Sequence, residues 1–424
     1  MKFCNSTPSI FLLLLIVLNI QSCKNDDDDS IISENDDSDN ALAFCENGFA
    51  GNYPCNGYDL MAHMPLSTLA SSLTTNTNTI AGNDIWGWTD ASNGNEYAIV
   101  CTTNSTAFVN VTNPINPVFL GRLETETIAN SWRDAKIYNN HVFIVADNAG
   151  THGMQVFNLT RLRNITNPPQ TFNADFVYNG VTECHNIFIN ESEGVAYLVG
   201  CNIYDGGPVF IDISNPTNPL EIGGFADNGY SHDAQVVTYN GPDTDYTGKQ
   251  IYIGSNGKRF GANKVVIIDV TDKTNPIFIS EISYSNPGYA HQGWFTEDMQ
   301  YFIFGDELDE NDFGTNTRTI IFDFTDLDDP KYKTDYLGAS AAIDHNGYVK
   351  GNSYFLANYT AGMRVLDITN IANNSINETG FFDTHPENDG TNFNGAWSVY
   401  PYFSSGNIII NDINRGLFIV RKSE

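Results

Sequence analysis

Basic residues are scarce in this chain: 20 Lys and Arg stand against 51 Asp and Glu, a formal net charge of -31. Such an excess repels phosphate backbones and anionic lipid. Nucleic acid is therefore excluded as a partner, and cations or neutral ligands are favoured. Charged residues of both signs make up only 17% and aromatics reach 12%, so the chain has the material for a core. Sustained helical periodicity is missing beyond the N-terminal segment. Also missing are a nucleophile elbow, a phosphate-binding glycine loop and the paired-His helix of metalloproteases. Ser231-His-Asp233 makes no triad, because alternation along a strand sends neighbouring side chains to opposite faces. The apolar run Ile10 to Ile20 falls well short of the ~20 residues a membrane-spanning helix needs.

That run, with Lys2 before it and Ile20-Gln-Ser-Cys23 after it, reads as a cleaved targeting segment. The last four residues resemble a bacterial lipobox, with Gln21 where a small residue is usual. On that reading residues 1–22 are a signal peptide and Cys23 carries the lipid, giving an exported, outer-membrane or cell-surface lipoprotein. The bland alternative is an ordinary secretory signal with Cys23 incidental. Residues 23–44 hold Asp26 to Asp29, Glu34, Asp36, Asp37 and Asp39 and little apolar content besides Ile31 and Ile32. Like charges keep such a stretch extended, which suits a tether. It also resembles the surface-export signal of Bacteroidetes lipoproteins. A plain solvated linker is the other reading.

Of the seven cysteines, Cys45 and Cys55 flank a glycine-rich loop at a spacing that suits a disulfide in an oxidising compartment. No second Cys or His pair accompanies them at zinc-ligand spacing. Cys184 and Cys201 fall in one repeat and are placed to pair across neighbouring strands, while Cys101 reads as a buried thiol.

One phrase recurs through the rest: an apolar strand, then Asp or Asn, an apolar residue, Ser or Thr, and a turn that in most copies carries Pro. It runs Phe108 to Pro117, Val209 to Pro219, Val266 to Pro276 and Ile320 to Pro330. Looser copies run Met154 to Thr160 and Arg364 to Thr369, and a truncated one Leu417 to Val420. The β-branched and aromatic run is a strand, and the Asp-x-Thr tail is turn chemistry. Upstream of each phrase lies an opening segment with Trp or His at or next to its start. Seven such units of roughly 50 residues match the period of a propeller. The expected fold is all-β: a seven-bladed β-propeller over 45–424, its last unit short of an outer strand. Residues 45–83 would supply a disulfide loop and, from Asp59 to Leu69, the strand that closes the ring.

These repeats resemble the LVIVD-type repeat, and the whole mature chain is similar to the choice-of-anchor B family of secreted bacterial proteins. The stretches that carry the likeness include Asp84-Ile-Trp-Gly-Trp-Thr-Asp90, Ser231-His-Asp-Ala-Gln235, His291-Gln-Gly-Trp-Phe-Thr-Glu-Asp298, Gly305-Asp-Glu-Leu-Asp-Glu310 and Asn394-Gly-Ala-Trp-Ser398. The resemblance implies a repeat-built β fold and a variable means of anchoring, here the lipid on Cys23. It implies no reaction.

The sharpest candidate site is formed by His185, His232, His291 and His345, which open four successive units; the chain has only 8 His. Inner strands of a propeller converge on the axis, where neutral imidazoles suit Fe, Mn, Zn or Cu. Asp233 is the neighbouring candidate ligand. Alternatively each His only bonds a neighbouring backbone group. Trp86, Trp132 and Trp397 hold related places and are candidates for stacking a ligand, or for packing between blades. Asp306, Asp309 and Asp312 form a possible calcium loop without the EF-hand pattern, or a solvated acidic turn. The expected function is a surface-anchored binding and recognition module for an extracellular protein, glycan or small ligand. A metal-dependent lyase or oxygenase, by fold-level analogy with propeller enzymes that hold metal through histidines, is the alternative.

Overall fold

The computed structural model describes residues 41–72, 80–258 and 261–424. Cys23 and nearly all of the acidic tether lie outside those residues. The chain forms seven sheets arranged as a β-propeller, antiparallel but for one added edge strand. Their innermost strands are Gly82–Thr89, Arg133–Tyr138, Asn186–Asn190, Asp233–Thr238, Ala290–Phe295, Gly347–Lys350 and Ala396–Tyr400, here numbered blades 1 to 7.

The recurring phrase is the third strand of a blade and the turn after it. In blade 4, Lys264–Asp269 lies between Gln250–Asn256 and Ile277–Ile282. Its Val265 to Ile268 are almost wholly buried, because third strands face neighbours on both sides. The Asp of the phrase closes the turn. Oδ1 of Asp212, Asp269, Asp323 and Asp367 accepts from the backbone N–H two residues on, at 2.8–3.0 Å. Asn110 and Asn158 do the same in blades 1 and 2. This side chain competes with the ladder for backbone donors and so stops the strand at a fixed place. Between third and fourth strands a register shift recurs at equivalent places, at Phe108/Val109, Phe210/Ile211, Ile267/Ile268, Ile321/Phe322 and Val365/Leu366. Such bulges increase twist, which a blade needs at its outer edge.

Blade 7 is closed as the sequence requires. Tyr58–Pro65 pairs antiparallel with Gly416–Lys422, Leu60 opposite Val420 and Met64 opposite Leu417. The strand is shorter than Asp59 to Leu69: Pro65 ends it, and Leu66–Leu69 is a single helical turn. The folded part also begins earlier than Cys45, since Ala43 and Leu60 exchange backbone hydrogen bonds of 3.1 and 2.9 Å. Cys45 and Cys55 are joined, and so are Cys184 and Cys201, while Cys101 is a buried thiol. The first disulfide loop extends blade 6, with Cys55 opposite Phe382. One strand had no sequence signal: Gln170–Phe172 runs parallel to Gly121–Leu123 on the edge of blade 1. Gly121 permits it, for a Cβ there would stand 2.0 Å from the Gln170 carbonyl.

Candidate metal centre

The start of each inner strand faces one mouth of the central channel. His185, His232, His291 and His345 form an arc there, with successive ring centroids 4.2, 4.3 and 4.1 Å apart. Trp132 continues the arc beside His185, and Trp397 and Tyr359 beside His345. Together they line a cavity of about 500 Å³. The four equivalent residues come from units about 50 residues apart, and only rotation about a common axis brings them into contact.

Three rings are oriented by their Nδ1 atoms. His232 Nδ1–H donates to the carbonyl of His291 at 3.1 Å, and His345 Nδ1–H to that of Trp397 at 2.6 Å. His185 Nδ1–H donates to Asp147 Oδ2 at 2.8 Å. A carbonyl or carboxylate only accepts, so Nδ1 holds the proton and Nε2 keeps a lone pair. This is the outer-shell arrangement that fixes a metal-binding imidazole. The fourth ring, His291, has a buried Nδ1 without a partner among the described residues.

Glu307 is not among the residues singled out above, yet its carboxylate sits among the rings. Oε1 accepts from Tyr359 Oη at 2.8 Å, and lies 3.7 Å from His345 Nε2; Oε2 lies 3.9 Å from His291 Nε2. Donor atoms of His232, His291 and Glu307 all fall within 4.8 Å of one another. Asp306 explains the placement. Its carboxylate accepts from Gly288 N, Tyr289 N, Leu308 N and Tyr284 Oη at 2.6–3.1 Å. It therefore ties the start of the blade 5 inner strand to the turn that carries Glu307. The sequence signal was the Asp306-Glu307 pair itself, ending a strand at the same mouth as His291.

Burial sets the protonation states. It pushes His232 and His291 well below the ordinary imidazole value, with their neighbouring imidazoles adding to the effect, and lowers His345 to about 3. Burial raises Glu307 to about 7, against the Tyr359 hydrogen bond and the proximity of His185. The mouth thus presents neutral nitrogen donors and one carboxyl that ionises near neutrality. A divalent transition ion fits that set, and a hard ion that prefers only oxygen does not.

Other expected residues go elsewhere. Asp233 does not line this mouth. One step farther along its strand, it is directed into the channel, where burial and the charges of Lys136 and Asp84 act on it. Trp86 is also absent from the arc. The inner strand of blade 1 begins at Gly82, so Gly82 takes the mouth position and Trp86 lies near the opposite end. Asp306, Asp309 and Asp312 do not converge: the first is spent on four donors, the second pairs with Arg318, and the third is exposed. Asp243, Asp326 and Asp328 do cluster, at a largely exposed surface.

Fold and mouth define a repeat-built seven-bladed propeller with an imidazole-lined axis. An LVIVD-repeat family model matches residues 203–227 and 248–283, in blades 3 and 4. No curated protein sequence matches the chain significantly. Among solved structures, a putative 6-phosphogluconolactonase from Bacteroides uniformis is similar at 12% identity and a TM-score of 0.50, over 70% of this chain and 87% of that one. A functionally unknown protein from Desulfotomaculum acetoxidans is similar at 12% identity and a TM-score of 0.49, over 73% and 87%. A hypothetical selenium-binding protein from Sulfolobus tokodaii is similar at 12% identity and 0.45, over 68% and 77%. At these identities the likeness is one of fold alone.

Proposed function

We propose that the chain is an exported binding propeller, tethered to the outer membrane through lipid on Cys23, that takes a small extracellular ligand at the imidazole mouth. Binding there depends on a divalent transition ion held by His232, His291 and Glu307, with His345 beside them. The observation that carries this reading is that the Nδ1 atoms of His232 and His345 are occupied by protein acceptors, leaving Nε2 lone pairs beside the half-buried Glu307 carboxylate. Metal analysis of untagged protein tests it. Near-stoichiometric transition metal is expected, lost in His232→Ala and His291→Ala and weakened about 10–100-fold in Tyr359→Phe, which removes only the hydrogen bond to Glu307. A protein that stays metal-free after supplementation with Zn, Mn, Fe and Cu salts overturns the reading.

A metal-dependent lyase or oxygenase is the second reading. It is favoured by Glu307, a carboxyl at the axis that ionises near neutrality and could move a proton. It requires turnover by the metal-loaded protein that Glu307→Gln abolishes while metal remains bound.

A further inference from the structure

The opposite mouth of the channel is built from the ends of the inner strands and has a different chemistry. Trp86, Phe188, Trp294, Tyr400 and Tyr402, all half-buried, surround a cavity of about 630 Å³. Their rings meet steeply. Trp86 stands at 66° to Tyr400 and 49° to Tyr402, Tyr400 at 75° to Tyr402 and Trp294 at 60° to Phe188, while both indoles also meet the buried Tyr348, at 71° and 72°. Several aromatic side chains gathered around one cavity can hold one compact cation against their π faces.

Charge selects the sign of that group. Glu191 lines the cavity. Glu96 acts with it on the Tyr400 hydroxyl, and Glu297 acts on that of Tyr402. The one basic lining residue is Lys136, and its ammonium is taken up by Asp84 and Asp134 at 2.9 and 2.5 Å. That same ammonium lies 4.6 Å from the centroid of Trp86, so the protein already seats one cation against this ring. Among the described lining residues the one cationic group is therefore already paired.

The geometry points to a second ligand site at this mouth, an aromatic cage for a small organic cation of the quaternary-ammonium class. The cage lies at the other end of the channel from the imidazoles and stands whether or not metal binds there.

Titration calorimetry with choline, with its uncharged isostere in which carbon replaces nitrogen, and with methyl glucoside tests the assignment. Choline binds about tenfold or more tightly than the isostere. Trp294→Leu weakens choline binding about tenfold, and Trp294→Phe keeps most of it. Glu191 is exposed, so Glu191→Gln leaves the fold intact; it weakens choline binding and flattens its salt dependence, which keeps the test open if Trp294→Leu does not fold. His232→Ala leaves choline binding unchanged, which separates this site from the metal mouth. Equal affinity for the isostere, preference for the glucoside, or no binding of choline by protein with a native melting curve would overturn the assignment.

Discussion

Glu310 is 1% exposed, and its Oε1 accepts from the Arg318 backbone at 2.9 Å. Its Oε2 and the Oδ1 of the adjoining Asp309 lack hydrogen-bonded partners as bare acceptors, and they satisfy one another only if one carboxyl keeps its proton. Burial, with Asp344 and Asp309 close by, accordingly holds the Glu310 carboxyl well above the carboxylate range. A carboxyl whose pKa is higher folded than unfolded contributes its full stability below the ordinary value. It loses that contribution as pH rises toward the folded one. Glu310→Gln keeps the acceptor and the shared donor without an ionisable proton. Its melting temperature is expected to match the parent near pH 4 and to exceed it at pH 8. A variant less stable than the parent at pH 8 would show that the ionised form is the one the fold needs. The same chemistry marks what the sequence hides. Asp306, Glu307, Asp309 and Glu310 read there as one acidic loop. The structure gives the first to backbone donors, the second to the channel mouth and the last two to a buried pair.

Strands carry the seam of the ring. Leu60 is 4% exposed in the core shared by blades 6 and 7, opposite Val420. Leu60→Asp places a carboxylate in that core and is expected to cost about 3–5 kcal/mol, read from denaturant unfolding. A loss below about 1 kcal/mol would mean that the seam bears little of the stability. The pairing of this strand was legible because one repeat lacked its outer member while an orphan strand of the right character preceded the first repeat. The turns were legible because Asp-x-Thr states its own hydrogen bond. Gln170–Phe172 was not, being three residues long and specified by the absence of a side chain at Gly121. The start of blade 1 was misplaced by the same logic. Trp86 looked like the landmark because the true mouth residue is Gly82, which leaves no side chain to recognise.

At the scale of the molecule, two mouths of unlike chemistry share one axis, and between them lies Lys136 with Asp84 and Asp134. The imidazole arc was legible as four histidines in register; the steep aromatic cage was not, since ring angles leave no mark in sequence. The proposed placement of the protein at a membrane rests on Cys23. Expressed in a Gram-negative host, the full chain is expected to incorporate labelled palmitate and to enter the detergent phase, and Cys23→Ala to do neither. Label retained in that variant would move the anchor elsewhere.

The disulfide between Cys45 and Cys55 short-circuits the chain between them, and Cys55 lies on blade 6 while the strand that follows belongs to blade 7. A pull transmitted from upstream of Ala41 would therefore reach two blades at once. Were the chain anchored upstream, as proposed, mechanical load would spread across that joint and would not peel the ring open at its seam.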